Sequence, residues 1–185
     1  MNIARRACVL GLAVLLAGCV VIRPPLPPTA PPPALALRLS PASLGHELTL
    51  QQRMTVSAHG QSQQLDVALE VDADAVRMAV MSFGQTVARL DWDGRELKET
   101  RARGWPDAVT GERVLSDLQL VHWPLEAIRP ALPMGWSLQA DHQVRTLRFY
   151  GAPMVRVRYL APGSSELDNF VAGYRLRLDA GQKLQ

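Results

Sequence analysis

The sequence predicts an α+β domain: a curved antiparallel sheet with short helices inserted mid-chain. Three observations predict it. Residues 48–100 alternate apolar and polar side chains in short runs separated by turn signals. Residues 112–132 change to helical spacing. Alternation then returns and continues to residue 180. Aromatics make up only 5% of the chain, so the core must be aliphatic.

In order, "ELTLQQRMTVSA" puts Leu48, Leu50, Met54 and Val56 on one side, and "HGQ" at 59–61 turns the chain. "QLDVALEVD" sends Leu65, Val67, Leu69 and Val71 inward and Asp66, Glu70 and Asp72 outward. "DADA" turns again, and "VRMAV" repeats the pattern with Val76, Met78 and Val80. "QTVARLDW" places Thr86, Ala88, Leu90 and Trp92 on one face. Asp93-Gly94 is a strong hairpin signal, and "RELKET" is the returning strand. These runs form a meander that curls round one apolar face.

"GERVLSDLQLV" spaces Val114, Leu115, Leu118 and Val121 as one face of a helix. Trp123-Pro124 interrupts it, and proline suits the first turn of a second short helix carrying Leu125, Ile128 and Leu132. Strands restart at Gly135-Trp136. "VRTLRFYG" and "MVRVRYL" read as a hairpin turning at Gly151-Ala152-Pro153, and "GYRLRLDA" closes the chain.

Ahead of this domain, residues 1–18 have the layout of a signal peptide: basic Arg5 and Arg6, an apolar run from Ala7 to Leu16, then small residues. The run is short for a bilayer span, which needs about 20 residues. Cys8 and Cys19 are the only cysteines, so the body of the chain offers no disulfide or thiolate metal site. Leu16-Ala17-Gly18-Cys19 matches the bacterial lipobox, in which the thiol is acylated and the leader cut before it. A plain signal peptide that happens to contain a cysteine is the alternative. Several acyl chains would give stable anchoring. Val20 follows, where an Asp would favour inner-membrane retention, so the expected address is the outer membrane, facing the periplasm.

Residues 19–36 are then the lipidated Cys and a linker. "PPLPPTAPPP" at 24–33 holds seven of 14 prolines and favours polyproline II. From Val20 to Ala36 it would reach roughly 50 Å, a semi-rigid spacer rather than a ligand for a proline-reading module. The globular domain occupies 37–185.

The formal net charge is +3, of which Arg5 and Arg6 supply two, so the processed chain has no electrostatic case for nucleic acid. No nucleophile elbow, zincin, P-loop or dinucleotide fingerprint is present. His46, His59, His122 and His142 lack metal-ligand spacing and read as solvated or half-buried. Asp72 and Asp74 lack the rest of a calcium loop. The expectation is a non-enzyme with no cofactor and no metal. Arg156, Arg158, Arg175 and Arg177 share one sheet face opposite Val157, Tyr159, Leu176 and Leu178. They form an ordinary solvated face or a docking face for anionic headgroups or an acidic partner. Met54, Met78, Met81, Met134 and Met154 suit core filling or an adaptable apolar cavity.

The tethered, curled sheet with mid-chain helices resembles the LolA/LolB lipoprotein-carrier superfamily, with "FGQTVARLDWDG" (83–94) and the helical stretch 112–132 in matching places. Asp117 to Leu120 with Trp123-Pro124, the Pro133–Trp136 turn and the Tyr174–Leu178 strand are similar to a family of uncharacterised bacterial lipoproteins. Its members are often associated with aryl-polyene or related envelope-lipid biosynthesis clusters. The resemblance implies an incomplete β-barrel whose concave face is covered by helices and binds acyl chains between. The expected cavity is lined by Leu50, Met54, Val67, Leu69, Met78, Leu90 and Trp92. Leu118, Val121, Trp123 and Pro124 would form its lid. LolB also carries an exposed apolar residue on a protruding loop, and "DADA" offers no such tip. The expected role is a monomeric acceptor of an acyl or polyene cargo, with a periplasmic carrier or a biosynthesis-cluster protein as partner. The rival role is a non-catalytic scaffold of an envelope complex.

Replacing Cys19 by Ser should abolish incorporation of labelled palmitate and release the protein from the membrane fraction. Undiminished labelling would contradict lipidation at Cys19.

Overall fold

The computed structural model describes residues 34–181 apart from 104, 107 and 108. The leader, Cys19 and nearly all of the proline-rich linker lie outside the described residues. Ten strands form a single sheet: β1 Leu48–Ala58, β2 Gln61–Val71, β3 Val76–Ser82, β4 Gln85–Trp92, β5 Leu97–Arg101, β6 Trp136–Ala140, β7 Val144–Phe149, β8 Ala152–Ala161, β9 Ser164–Asn169 and β10 Tyr174–Ala180. Helix α1 is Gly111–His122. The short α2, Leu125–Ile128, runs on into a 3-10 turn at Arg129–Ala131.

The strand order is β5-β4-β3-β2-β1-β10-β9-β8-β7-β6, with every neighbouring pair antiparallel. Two hairpin meanders thus meet where the first strand pairs with the last, Met54 opposite Leu178 and Val56 opposite Leu176. β5 and β6 remain as edges.

The sheet must be strongly curved, because one short helix touches both of its halves. At the start of α1, the Glu99 carboxyl of β5 lies so near Gly111 that an added Cβ would meet it at 2.9 Å. At its end, Arg145 of β7 donates to the carbonyls of Leu120 (2.9 Å) and Trp123 (2.7 Å). A flat sheet would separate β5 from β7 by about 38 Å, whereas twelve helical residues span about 18 Å. Curling closes the difference. Arg145 also satisfies carbonyls that a helix end leaves unpaired, and its charge suits the negative end of the helix dipole. Thr110 caps the other end through Arg113 N–H.

A strap fills much of the concave side. Residues 35–44 run between α1 and the sheet, ending in a 3-10 turn at Pro41–Leu44, with Leu37, Leu39 and Leu44 buried. Helical side chains replace a partner strand for it. Leu37 N–H donates to Ser116 Oγ (3.1 Å), which donates to Leu35 O (3.1 Å). The Gln119 carboxamide accepts from Leu39 N–H and donates to Leu39 O, both at 3.0 Å. Trp92 Nε1 donates to Leu39 O (2.8 Å), and Trp123 Nε1 to Ser40 O and Ser43 Oγ. The sequence boundary at Leu37 therefore falls two residues inside a segment already held by α1. The concave face is covered by helices and strap together, not by helices alone.

The sequence also hid β9. "SSELDN" has a single apolar residue, Leu167, and shows no strand alternation. It forms a strand because Glu166 and Asp168 stand between arginines on both flanking strands. Arg158 pairs with Glu166 and with Asp168 (2.9 Å), and Arg175 pairs with Asp168 (2.6 Å). Cross-strand charge pairing supplies what apolar alternation does not.

Gln119 is fully buried, and replacing it by Leu would orphan the buried Leu39 N–H. The expected cost is about 1–3 kcal/mol in urea unfolding. An unchanged midpoint would show that the strap does not depend on this amide.

Candidate functional site

The site is the concave face, and the strand register gathers its residues. Leu50, Leu69, Met78 and Leu90 lie in one cross-strand row over β1–β4, and Val67 and Trp92 share their face. Val67, Leu69, Met78, Leu90 and Trp92 are buried, whereas Leu50 and Met54 are half-buried. The residues expected to line a cavity are thus together, but over β2–β4 they contribute to a core that includes the strap.

At the centre the burial changes. Leu50, Met54 and Val56 of β1, with Leu176 and Leu178 of β10, are all only half-buried. Together they make a less covered apolar strip along the seam of the two meanders, packed against the edge of the core. Leu176 and Leu178 stand out in the sequence only as alternation, which assigns them a face but no exposure.

Of the expected lid, Val121 and Trp123 are buried, while Leu118 and Pro124 are half-buried. Trp123 is wholly enclosed and tied to the strap, so lid and strap would move together. Tyr159 of β8 adds a hydrogen bond to Val121 O at 2.7 Å.

Polar groups interrupt this face: Gln52 of β1, between Leu50 and Met54, is buried and donates to Gly163 O (3.2 Å), and α1 brings an acid to it. Asp117 of α1 is buried and accepts from the Tyr174 hydroxyl, which accepts from Asn169 Nδ2 (3.1 Å). Burial pushes the Asp117 carboxyl up to about 7, outweighing the opposing Tyr174 hydrogen bond. Burial and the neighbouring Asp117 raise Tyr174 above the usual phenol range. His122 at the end of α1 is held down at about 4, first by burial and then by Arg145 and His46, and its Nε2 has no partner. Sequence inspection missed Asp117 because a single acid in a helix carries no signal of burial.

The four arginines of the expected docking face do share the outer face. Arg158 and Arg175 are paired with β9 carboxylates, and Arg177 pairs with Asp179 (2.9 Å). Arg156 lies over the Phe170 ring, 5.5 Å from its centroid. A separate cleft of about 450 Å³ lies beside the start of α1, lined by Arg38, Glu99, Arg101 and Glu112 among others. Its charges are paired as Arg38–Glu112 and Arg101–Glu99, so it offers little to an apolar ligand. Among the described residues no group of three or more His, Cys, Asp or Glu gathers as a metal site, and no helix is long and apolar enough to cross a membrane.

The turn at 72–75 lacks an apolar tip, in agreement with its sequence, but the next hairpin has one. Phe83, between β3 and β4, is fully exposed.

A family model described as "Protein of unknown function (DUF3261)" matches residues 49–180. No curated protein matches the chain.

Asp117 and His122 set opposite pH trends. Asp117 binds its proton more tightly folded than unfolded, so stability falls as pH rises from about 4 to about 7, by at most about 1.4 kcal/mol per pH unit. His122 binds its proton less tightly folded, so stability rises from about pH 4 to about 6.5. The two oppose each other over that shared range. Asp117→Asn should remove the first trend, leaving stability that rises between pH 4 and 6.5 and no longer falls towards pH 7. Urea midpoints across pH 4–8 identical to those of the parent would refute the buried-carboxyl assignment.

Proposed function

We propose that this chain, which belongs to that family of unknown function, is a non-enzymatic, outer-membrane lipoprotein that accepts a lipid-like amphiphile on its concave face. The observation that carries the reading is the partial burial of the apolar strip Leu50, Met54, Val56, Leu176 and Leu178 between two flanks of buried residues. An acyl or polyene chain laid along it would leave water at about 0.8 kcal/mol per buried CH₂. Entry would displace α1 and its strap, which are held by side-chain hydrogen bonds and by the packing of Leu37, Leu39, Leu115 and Trp123. The Asp117–Tyr174–Asn169 group gives the strip a hydrogen-bonding end suited to a polar head. The curled sheet, the helical cover and the lipobox at Cys19 support a LolA/LolB-like carrier. A periplasmic carrier or biosynthesis-cluster protein would deliver the cargo to the anchored monomer. The paired arginines of β8–β10 favour a structural use of that ladder.

A second reading has its own support. The burial of Val67, Leu69, Met78, Leu90 and Trp92 beneath the strap is that of a filled core. The protein would then scaffold an envelope complex through its surface.

A fluorescent acyl probe added to the purified full-length chain separates the two. Saturable uptake is expected, weakened about tenfold by Met54→Gln, as befits loss of roughly 1.4 kcal/mol. Absence of uptake by the parent chain would defeat the carrier reading and leave the scaffold.

A further inference from the structure

The two ends of the strands differ in chemistry. Consecutive hairpins alternate between ends, so the β1–β2 and β3–β4 turns share one rim. Ala58 pairs with Tyr174, which brings the β9–β10 turn to that rim, and the β7–β8 turn follows by alternation. Trp136 pairs with Phe149, so the loop entering β6 joins it too. Of the large apolar side chains exposed among the described residues, Phe83, Met134, Tyr150, Phe170 and Val171 are on this rim, and Leu160 alone is not. All three phenylalanines of the chain are here. Trp136, Phe149 and Tyr150 form a continuous ring cluster, with centroids 5.0 and 4.7 Å apart.

We propose that this aromatic rim seats the domain on an anionic phospholipid surface, edge-on, with the opposite rim facing away. Packing explains Trp136 and Phe149, but not the exposed Phe83 and Met134. Phe83 and Tyr150 occupy left-handed turn positions (φ 49° and 45°) at which Asn or Gly is the unstrained choice. Phe83 accepts that strain with its ring fully in water. Aromatic rings at a membrane interface have an apolar body to bury and tolerate the headgroup layer.

Charge points the same way. The turns at 59–60, 83–84, 132–135, 150–151 and 170–173 contain no Asp or Glu. Arg148 donates to Gly151 O (2.8 Å) and Arg156 covers Phe170, placing guanidinium groups beside the rings. The opposite rim carries Asp72, Asp74, Asp93, Glu96 and Asp141 in its turns, countered in charge by Arg95. Asp72, held at about 2 by Arg77 and by backbone amides, is ionised at any physiological pH, as are Asp93 and Asp141, lowered by their turn amides. An anionic surface would repel that rim and attract the other.

The inference does not depend on cargo uptake and would stand with a filled core. Its test uses the full-length chain on vesicles, with the photo-crosslinking residue benzoylphenylalanine replacing Phe83 or Phe170 on one rim and Asp74 or His142 on the other. All four positions lie in turns and are exposed, and near-UV circular dichroism checks that each variant is folded. On vesicles of phosphatidylethanolamine and phosphatidylglycerol, lipid adducts are expected at 83 and 170, severalfold above those at 74 and 142. The 83 and 170 yields should fall on phosphatidylcholine alone. Equal adducts on both rims, none at 83 and 170, or adducts there to a second copy of the chain would overturn the proposal, and equal yields on both vesicle types would overturn the preference for an anionic surface.

Discussion

The Gln119 carboxamide, closed on both backbone groups of Leu39, is the contact on which the remaining architecture depends. It lets an extended segment lie inside a curved sheet with no neighbouring strand to pair its backbone. With Leu39 fixed, Trp92 and Trp123 can bury their rings and still find acceptors on the strap. With the strap fixed, the apolar faces of β2–β4 acquire a cover, and α1 is held over the sheet along its length. Arg145 and Tyr159 pin the far end of that helix to the other meander. One short helix thereby couples two hairpin stacks whose direct union is a single strand pair.

Charge is used differently on the two faces of the second meander. Outside, Glu166 and Asp168 bind β9 between β8 and β10 by alternating sign. Inside, the one buried acid among the described residues is Asp117, contributed by the helix and satisfied by a phenol. Along the β1–β10 seam the inner face is apolar except at Gln52, whose amide is satisfied by Gly163 O.

The apolar tips and the acidic turns are placed by the hairpin alternation itself. Asp72, Asp93 and Asp141 each accept two backbone amides within their own turn, so the acidic rim has a folding rationale. The aromatic rim has none of comparable kind.

Much of the fold was legible from residues 48 to 100, where strict alternation marks each strand and Asp93-Gly94 marks a turn. The helical spacing at 112–121 likewise placed α1, and Leu50, Val67, Leu69, Met78, Leu90 and Trp92 could be put on one face because strand geometry allows only two. Three things required the tertiary structure. Leu35, Leu37 and Leu39 alternate in residues 35–44, but that pattern does not reveal that the segment lies on helical side chains instead of pairing as a strand. β9 has no apolar alternation, since its stability comes from arginines about ten residues away on either side. The exposure of Leu176 and Phe83, and the burial of Asp117, depend on what the chain lays over them. Local sequence thus determined which side of the sheet each strand residue takes. Only packing decided which of those sides is covered, because cover is supplied by segments distant in the chain.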